Sequence, residues 1–501
     1  MTRLASLRTF VCERTFTGSG GRPMKVLLRK LAHVATFDAE DRELRDADIL
    51  VEGPRIAAIG EDLATDGVDR VIDGRGLLAL PGLINAHQHL YQASMRTLPE
   101  LERSGMPEFL AAQDALVARR WREGRFTADA VRATARAVLT ESVLGGVTTV
   151  ADQHTVFPGE RPEPYVEATV EAAAEVGVRL HAGRGSVTFG RARGGMVDDL
   201  FAEPLDAVLA HAERLIADHH DPNRFAMTRV VLAPSGVVSD VPEIFREFAD
   251  LAAGHPTVRL HTHLHHHEDT RFARARYGTS PWRILVDNGF AGPNVWVAHA
   301  TTPPVEEISD YAAAGIGIAH IPAADLKLGW GLAPLRRYLD AGIPVGVGTT
   351  GSMTNDGAGL LGDLRVAALA HRALRTAPAE WPSARELLSA ATRGSAACLG
   401  RDDLGSLAVG MAADIACWDL DSVDRAGVHD PVAALIFTGL STRARLVLVN
   451  GGVVVEDGEP TRVDPRRAVR EVRAILAADG VGTGRWRSGS DVRSSAQYAA
   501  A

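Results

Sequence analysis

A chain of 501 residues in which 46% are hydrophobic is long enough for about three domains, or for one β/α barrel with an appended domain. Its net charge of -9, with basic residues scattered along the chain, gives no electrostatic reason to expect nucleic acid or an anionic membrane as partner. No apolar run approaches the roughly 20 residues of a membrane span, and three cysteines, Cys12, Cys398 and Cys417, are too few for a disulfide framework or a thiolate metal site, so a reducing cytoplasm is the expected location.

In chain order, residues 1–23 read as an N-terminal extension: they carry Arg3, Arg8 and Arg14 but no apolar core of signal-peptide type, and Met24 is a second plausible start. Short alternating strands begin at 25–29 and 47–60. The same texture returns at 413–419 and 444–455, so 24–80 and 396–462 are expected to form one small composite β-sandwich domain. Between them, over 81–395, strand-like runs alternate with helix-like runs such as 130–144, whose apolar spacing gives one buried stripe. Eight strands ending near His89, His154, Val187, Val237, His263, His299, His320 and Thr350 predict an α/β fold, a closed (β/α)8 TIM barrel. Residues 463–501 read as a last helix over 468–478 and a flexible Gly/Ser-rich tail from Gly480.

The chemistry-bearing residues gather at those strand ends. His87 and His89 are two apart on one strand and therefore leave the backbone side by side, as two ligands of one metal ion must. Alone, the pair also fits an ordinary polar patch. A second pair, His261 and His263, and single histidines at His299 and His320 end other strands, and imidazoles converging from several strand ends are how catalytic zinc sites are built. Other candidates carry structural readings beside the functional ones. His154 either faces the pocket or is a hydrogen-bonded core residue; His261, deeper in its strand, reads as structural; His320 either approaches substrate or caps its strand. Gln88 points opposite to its neighbours in an ideal strand, so it touches substrate only if the strand ends there. Trp330, between two glycines, is either an exposed stacking wall for a flat heterocycle or loop packing. Asn355 and Asp356 either bind ring nitrogens or make a turn, and Arg271, Arg274 and Arg276 read as a solvated helix face.

The stretches 81–89 and 410–416 resemble the first-strand metal motif and the closing β-domain signature of the amidohydrolase superfamily, and the likeness runs from Met24 to about residue 465. Within it, 87–91, 145–154, 329–334 and 348–352 are most similar to the triazine hydrolases, which sit beside the heterocycle deaminases. The resemblance implies His87, His89 and His263 as metal ligands, Zn2+ as cofactor at one per subunit with Fe2+ as the alternative, and His299 as a fourth imidazole beside the metal or its water. Thr350 stands where many members carry an aspartate, and threonine there is the triazine hydrolase pattern. Relatives place a proton-carrying glutamate three residues after the fifth-strand histidine; here that position is His266, followed by His267 and Glu268. Either His266 replaces the carboxylate, or Glu268 reaches the site, or His266 binds metal. The implied activity is hydrolytic displacement of chloride, amine or a similar group from an N-heteroaromatic ring such as an s-triazine by metal-activated hydroxide. Purine- or pyrimidine-type deamination is the alternative, and a non-catalytic binding or assembly protein a further one. A small N-heterocyclic substrate and a homodimer are the expected partners.

Overall fold

The computed structural model describes residues 22–160, 162–374, 377–438 and 443–481. The expectations for most of the N-terminal extension, Cys12 and nearly all of the C-terminal tail lie outside the described residues.

Eight parallel strands close into a barrel. In order they are Leu83–His89, Val147–His154, Arg179–Arg184, Thr228–Leu232, Arg259–Leu264, Val295–His299, Gly317–His320, and an eighth in two pieces, Val345–Val347 and Thr350–Gly351. Closure is made by Val347 against Asn85, then Thr350 against Gln88 and Gly351 against His89. The third and fourth strands end at Arg184 and Leu232, short of the expected Val187 and Val237. For the fourth, the reason is local: Pro234 follows closely, lacks an N–H and cannot extend a ladder.

Alternation along each strand sorts the side chains. In the sixth, Val295 and Val297 join the large core under the helices, while Trp296 packs with Ile84, Ala151, Val231 and Ala319 inside the barrel floor. The segment after Ser395 closes that floor, since Ala396, Cys398 and Leu399 pack against the same cluster. The helix expected over 130–144 forms as Ala128–Leu144, with the Thr127 side chain accepting from the Ala130 N–H at its start.

The chain ends meet beside the barrel in two further sheets. Four N-terminal strands form one, in the order Arg55–Gly60, Ala47–Glu52, Lys25–Leu31 and Arg70–Asp73. The other is mixed: Ile415–Asp419 lies antiparallel to Leu77–Pro81, joining strands from both ends of the chain. Val26, Leu28, Ile49, Ala79, Ile415 and Leu448 pack in one cluster between the sheets. Fully buried Arg179, at the start of the third barrel strand, ties the barrel to this unit through Asp414 (2.9 Å to each oxygen) and Asn450 (2.7 Å). The last helix, Pro465–Ala478, ends at Asp479, whose carboxylate is held by Arg120 and Arg125. Arg120 also donates to Ser94, in the short helix Leu90–Met95 that directly follows His89, so the C-terminal helix braces the loop leaving the site.

Candidate metal centre and active site

His87, His89 and His263 come together at the C-terminal end of the barrel, each offering one ring nitrogen within 4.8 Å of the others. Their second nitrogens are all tied down. His89 Nδ1 donates to the Gln153 carbonyl (2.7 Å) and His263 Nδ1 to the Ser235 carbonyl (2.6 Å). Because a carbonyl only accepts, Nδ1 carries the proton in both rings and Nε2 keeps its lone pair. His87 reaches the same state by a longer route: His261 Nδ1 donates to the Trp296 carbonyl (2.9 Å), so His261 Nε2 must accept from His87 Nδ1 (2.8 Å). Three Nε2 lone pairs result. Burial pushes the His89 imidazole down to about 4 and, with the neighbouring rings, holds His87 and His263 well below their ordinary value, so all three are neutral near pH 7. Three neutral nitrogen donors with oriented rings fit a borderline divalent ion such as zinc.

His261 is therefore structural in a sharper sense than its sequence position suggests, since it fixes the tautomer of His87. His261→Leu is expected to weaken zinc binding about 10–100-fold, the usual cost of losing such a partner, and competition with a chromogenic chelator measures it.

Around this triad lies a second group, His266, His299 and Asp325, again within 4.8 Å. Strict alternation would send His299 outward with Val295 and Val297. Instead His299 and Ala300 both take positive φ (72° and 47°), the strand ends there, and the ring packs 5.4 Å from His263 and 5.5 Å from His87. Non-glycine residues rarely adopt that backbone, and such strain gathers at functional sites. His299 Nδ1 lies 2.6 Å from an oxygen of fully buried Asp325, which leaves its Nε2 unengaged. Thr350, also at positive φ (50°), sets its hydroxyl 3.3 Å from His87 Nε2, the nitrogen His87 offers to the triad.

His266 is buried, its ring 4.3 Å from His299 and 4.2 Å from Trp330, and neither ring nitrogen has a hydrogen-bond partner. Glu268, on the first turn of the following helix His267–Tyr277, is half-buried and stands outside both clusters. Trp330 departs from the exposed wall the sequence suggests. Gly329 and Gly331 both take positive φ (70° and 91°), the loop folds inward, and the indole is only 5% exposed, with Nε1 unpartnered.

The remaining candidates are engaged elsewhere. Gln88 donates to Thr349 Oγ1 (3.0 Å) and accepts from the His89 N–H (3.0 Å). Asn355 donates to the Thr349 carbonyl (2.8 Å) and to Asp363. Together they brace the backbone that carries Thr350. Asp356 receives the Thr97 N–H and the Lys327 ammonium at the rim. His320 pairs with His371 of the helix Leu360–Leu374 at 3.3 Å. Two carboxylates escaped the sequence reading, Asp325 and Asp269. Both follow a strand-end histidine by a short helical segment, the only signal that could have found them.

His154 is a core residue, bonded to the Val156 carbonyl (2.9 Å) among Tyr91, Phe157 and Tyr165. Burial pushes its imidazole down to about 3. Between pH 6.5 and 3 the unfolded chain then binds a proton at this residue that the folded chain refuses, so its contribution to stability is complete above 6.5 and falls as the pH drops. His154→Gln is expected to flatten the pH dependence of unfolding free energy by up to roughly 1.4 kcal/mol per pH unit in that window. Urea unfolding of both proteins at pH 6 and pH 5 tests it. Buried Asp152 and Asp240, which burial raises to about 7, act in the opposite sense in both proteins and cancel in the difference.

Comparison with known proteins gives this geometry a lineage. The amidohydrolase family matches residues 78–454. Hydroxydechloroatrazine ethylaminohydrolase of a Pseudomonas species is 36% identical over 471 residues, covering 89% of this chain and 93% of the relative. The 8-oxoguanine deaminase of Pseudomonas aeruginosa is 35% identical over 402 residues, covering 80% and 87%. The crystal structure of atrazine chlorohydrolase TrzN from Arthrobacter aurescens complexed with zinc superposes with a TM-score of 0.89 at 55% identity, over 90% of this chain and all of that one. A barrel closed at its first and eighth strands, a histidine triad at its C-terminal mouth and a family match over most of the chain agree: the chain belongs to the amidohydrolase family.

Proposed function

We propose that this protein is a metal-dependent hydrolase that displaces a leaving group, chloride, amine or similar, from an N-heteroaromatic ring such as an s-triazine. The observation that carries the reading is the set of three neutral Nε2 donors of His87, His89 and partly buried His263, with the ring of buried His266 6.2 Å from that of His263 and neither of its nitrogens hydrogen-bonded. His87, His89 and His263 would hold one Zn2+ per subunit, with Fe2+ as the alternative. When bound, the ion supplies Lewis acidity that brings a coordinated water toward a pKa of about 7.

The chain's own residues do the rest. His299, steadied by Asp325, and the Thr350 hydroxyl orient the attacking water; threonine can hydrogen-bond that water but cannot take its proton. His266 takes the proton as oxygen bonds to an electron-poor ring carbon, and negative charge moves onto the ring nitrogens. Trp330 covers His266 and keeps bulk water away from it. Chloride then departs unprotonated, whereas an amine needs a proton returned to it.

Deamination of a purine- or pyrimidine-type ring is the second reading, supported by the similarity to an ethylaminohydrolase and an 8-oxoguanine deaminase. A reducing cytoplasm, in keeping with the unpaired, buried Cys398 and Cys417, and a homodimer complete the proposal. The test is chloride and ammonia or amine release by zinc-loaded protein across chloro- and amino-substituted triazines, purines and pyrimidines. Release from any of these rings supports hydrolysis and names the leaving group. Silence across the panel, with zinc bound, favours a binding or assembly role.

A further inference from the structure

Residues 265–267 are three consecutive histidines with three different surroundings. His265 Nε2 lies 2.7 Å from Glu307 and its Nδ1 3.2 Å from the Thr270 hydroxyl, so that ring is engaged away from the metal triad. His267 is exposed. His266 sits at the start of the helix His267–Tyr277, and one turn further on Asp269 sets a carboxylate oxygen 3.2 Å from His266 Nδ1. Asp269 is 4% exposed, and that oxygen has no other partner. Its contact with the ring is close without being aligned as a hydrogen bond, a looseness common in catalytic contacts before substrate arrives.

We propose that His266 and Asp269 act as one proton-carrying pair, in which Asp269 is a positioning residue that keeps the His266 proton on Nδ1 and leaves Nε2 to accept and return a proton at the reacting ring. The proposal rests on His266 carrying the proton in the reaction proposed above. Its physical basis is twofold.

A buried imidazole without partners has two tautomers, and only the one protonated at Nδ1 can accept at Nε2. An ionised carboxylate, an acceptor only, selects it. Burial pushes the Asp269 carboxyl upward, yet the His266 ring, then His265 and the His266 backbone N–H, hold it below the usual carboxylate range. Charge supplies the second basis. A glutamate that takes a proton goes from -1 to neutral. A lone histidine goes from neutral to +1, which is costly beside a dication. A histidine with an ionised aspartate goes from -1 to neutral, and so reproduces the charge change of the glutamate that the family resemblance implies at this position.

Water oxygen bonds to the ring carbon while one water proton passes to His266 Nε2. With chloride, the carbon–chlorine bond breaks, its electron pair leaves on chloride, and the Nε2 proton is released to solvent. With an amine, Nε2–H protonates the departing nitrogen as the carbon–nitrogen bond breaks.

Asp269→Asn separates this role from helix capping, because the amide oxygen still accepts while the charge is gone. The expected result is a fall in kcat of about 10²-fold, with KM and Tm nearly unchanged and a larger loss for amine release than for chloride release. In a His266→Ala background the same substitution should cost nothing further, since the aspartate acts only through that ring. Long-range 1H–15N spectra of zinc-loaded, 15N-histidine-labelled protein give a readout independent of turnover: His266 protonated at Nδ1, and losing that preference in Asp269→Asn. Additive losses in the double variant, an Nε2-protonated His266 in the wild type, or full turnover in His266→Ala each overturn the pair. If no ring is turned over, the proposed reaction fails, and the spectra still decide whether Asp269 sets the tautomer.

Discussion

His263→Ala should leave the protein folded, deprive it of stoichiometric zinc and lower kcat/KM by about 10³-fold or more, the several kcal/mol of charge stabilisation that a bound metal supplies. The physical reason lies in the donor set. With only three nitrogens, each presented by a ring whose other nitrogen is fixed, removing one leaves two donors and a space that water fills. The lost hydrogen bond to the Ser235 carbonyl is a lesser effect, near 1 kcal/mol, so thermal unfolding of the metal-free proteins should differ little. Metal analysis and turnover of the same preparation check the prediction. Full activity in a zinc-depleted variant would remove the metal from the mechanism, and with it the reading of the triad.

The second large effect belongs to His266. Its replacement by alanine is expected to cost about 10²–10⁴-fold in kcat, the range general acid–base groups contribute, while zinc content stays the same. The loss should be deeper for amine release than for chloride release, because chloride departs without a proton and an amine does not. His266→Glu should recover a large part of the activity, since one carboxylate gives the same charge change as the histidine–aspartate pair. Steady-state rates on a chloro- and an amino-substituted member of one ring series decide it. Equal losses on both leaving groups would confine His266 to activating water. An unchanged rate would pass the proton to Glu268, which lies half-buried two residues on with one carboxylate oxygen unpartnered.

Much of this was legible in the residues alone, because local periodicity is written by near neighbours. Alternating strands, helix stripes and eight strand ends announced the barrel, and His87-Gln88-His89 and His261-Thr262-His263 placed ligand candidates on shared strand faces. What the sequence could not decide was which nitrogen of each ring keeps its lone pair, since the partners that fix it come from far along the chain: His261 is 174 residues from His87, Gln153 is 64 from His89, and Ser235 is 28 from His263. Tertiary structure also turned His299 inward through a left-handed backbone, paired it with Asp325, folded Trp330 in between two positive-φ glycines, and gave His320 to His371. Spacing along a strand sets which side chains share a face. Hydrogen bonds between strands and loops then choose the tautomer, the charge and the direction of each ring, and those choices exist only once the barrel has closed.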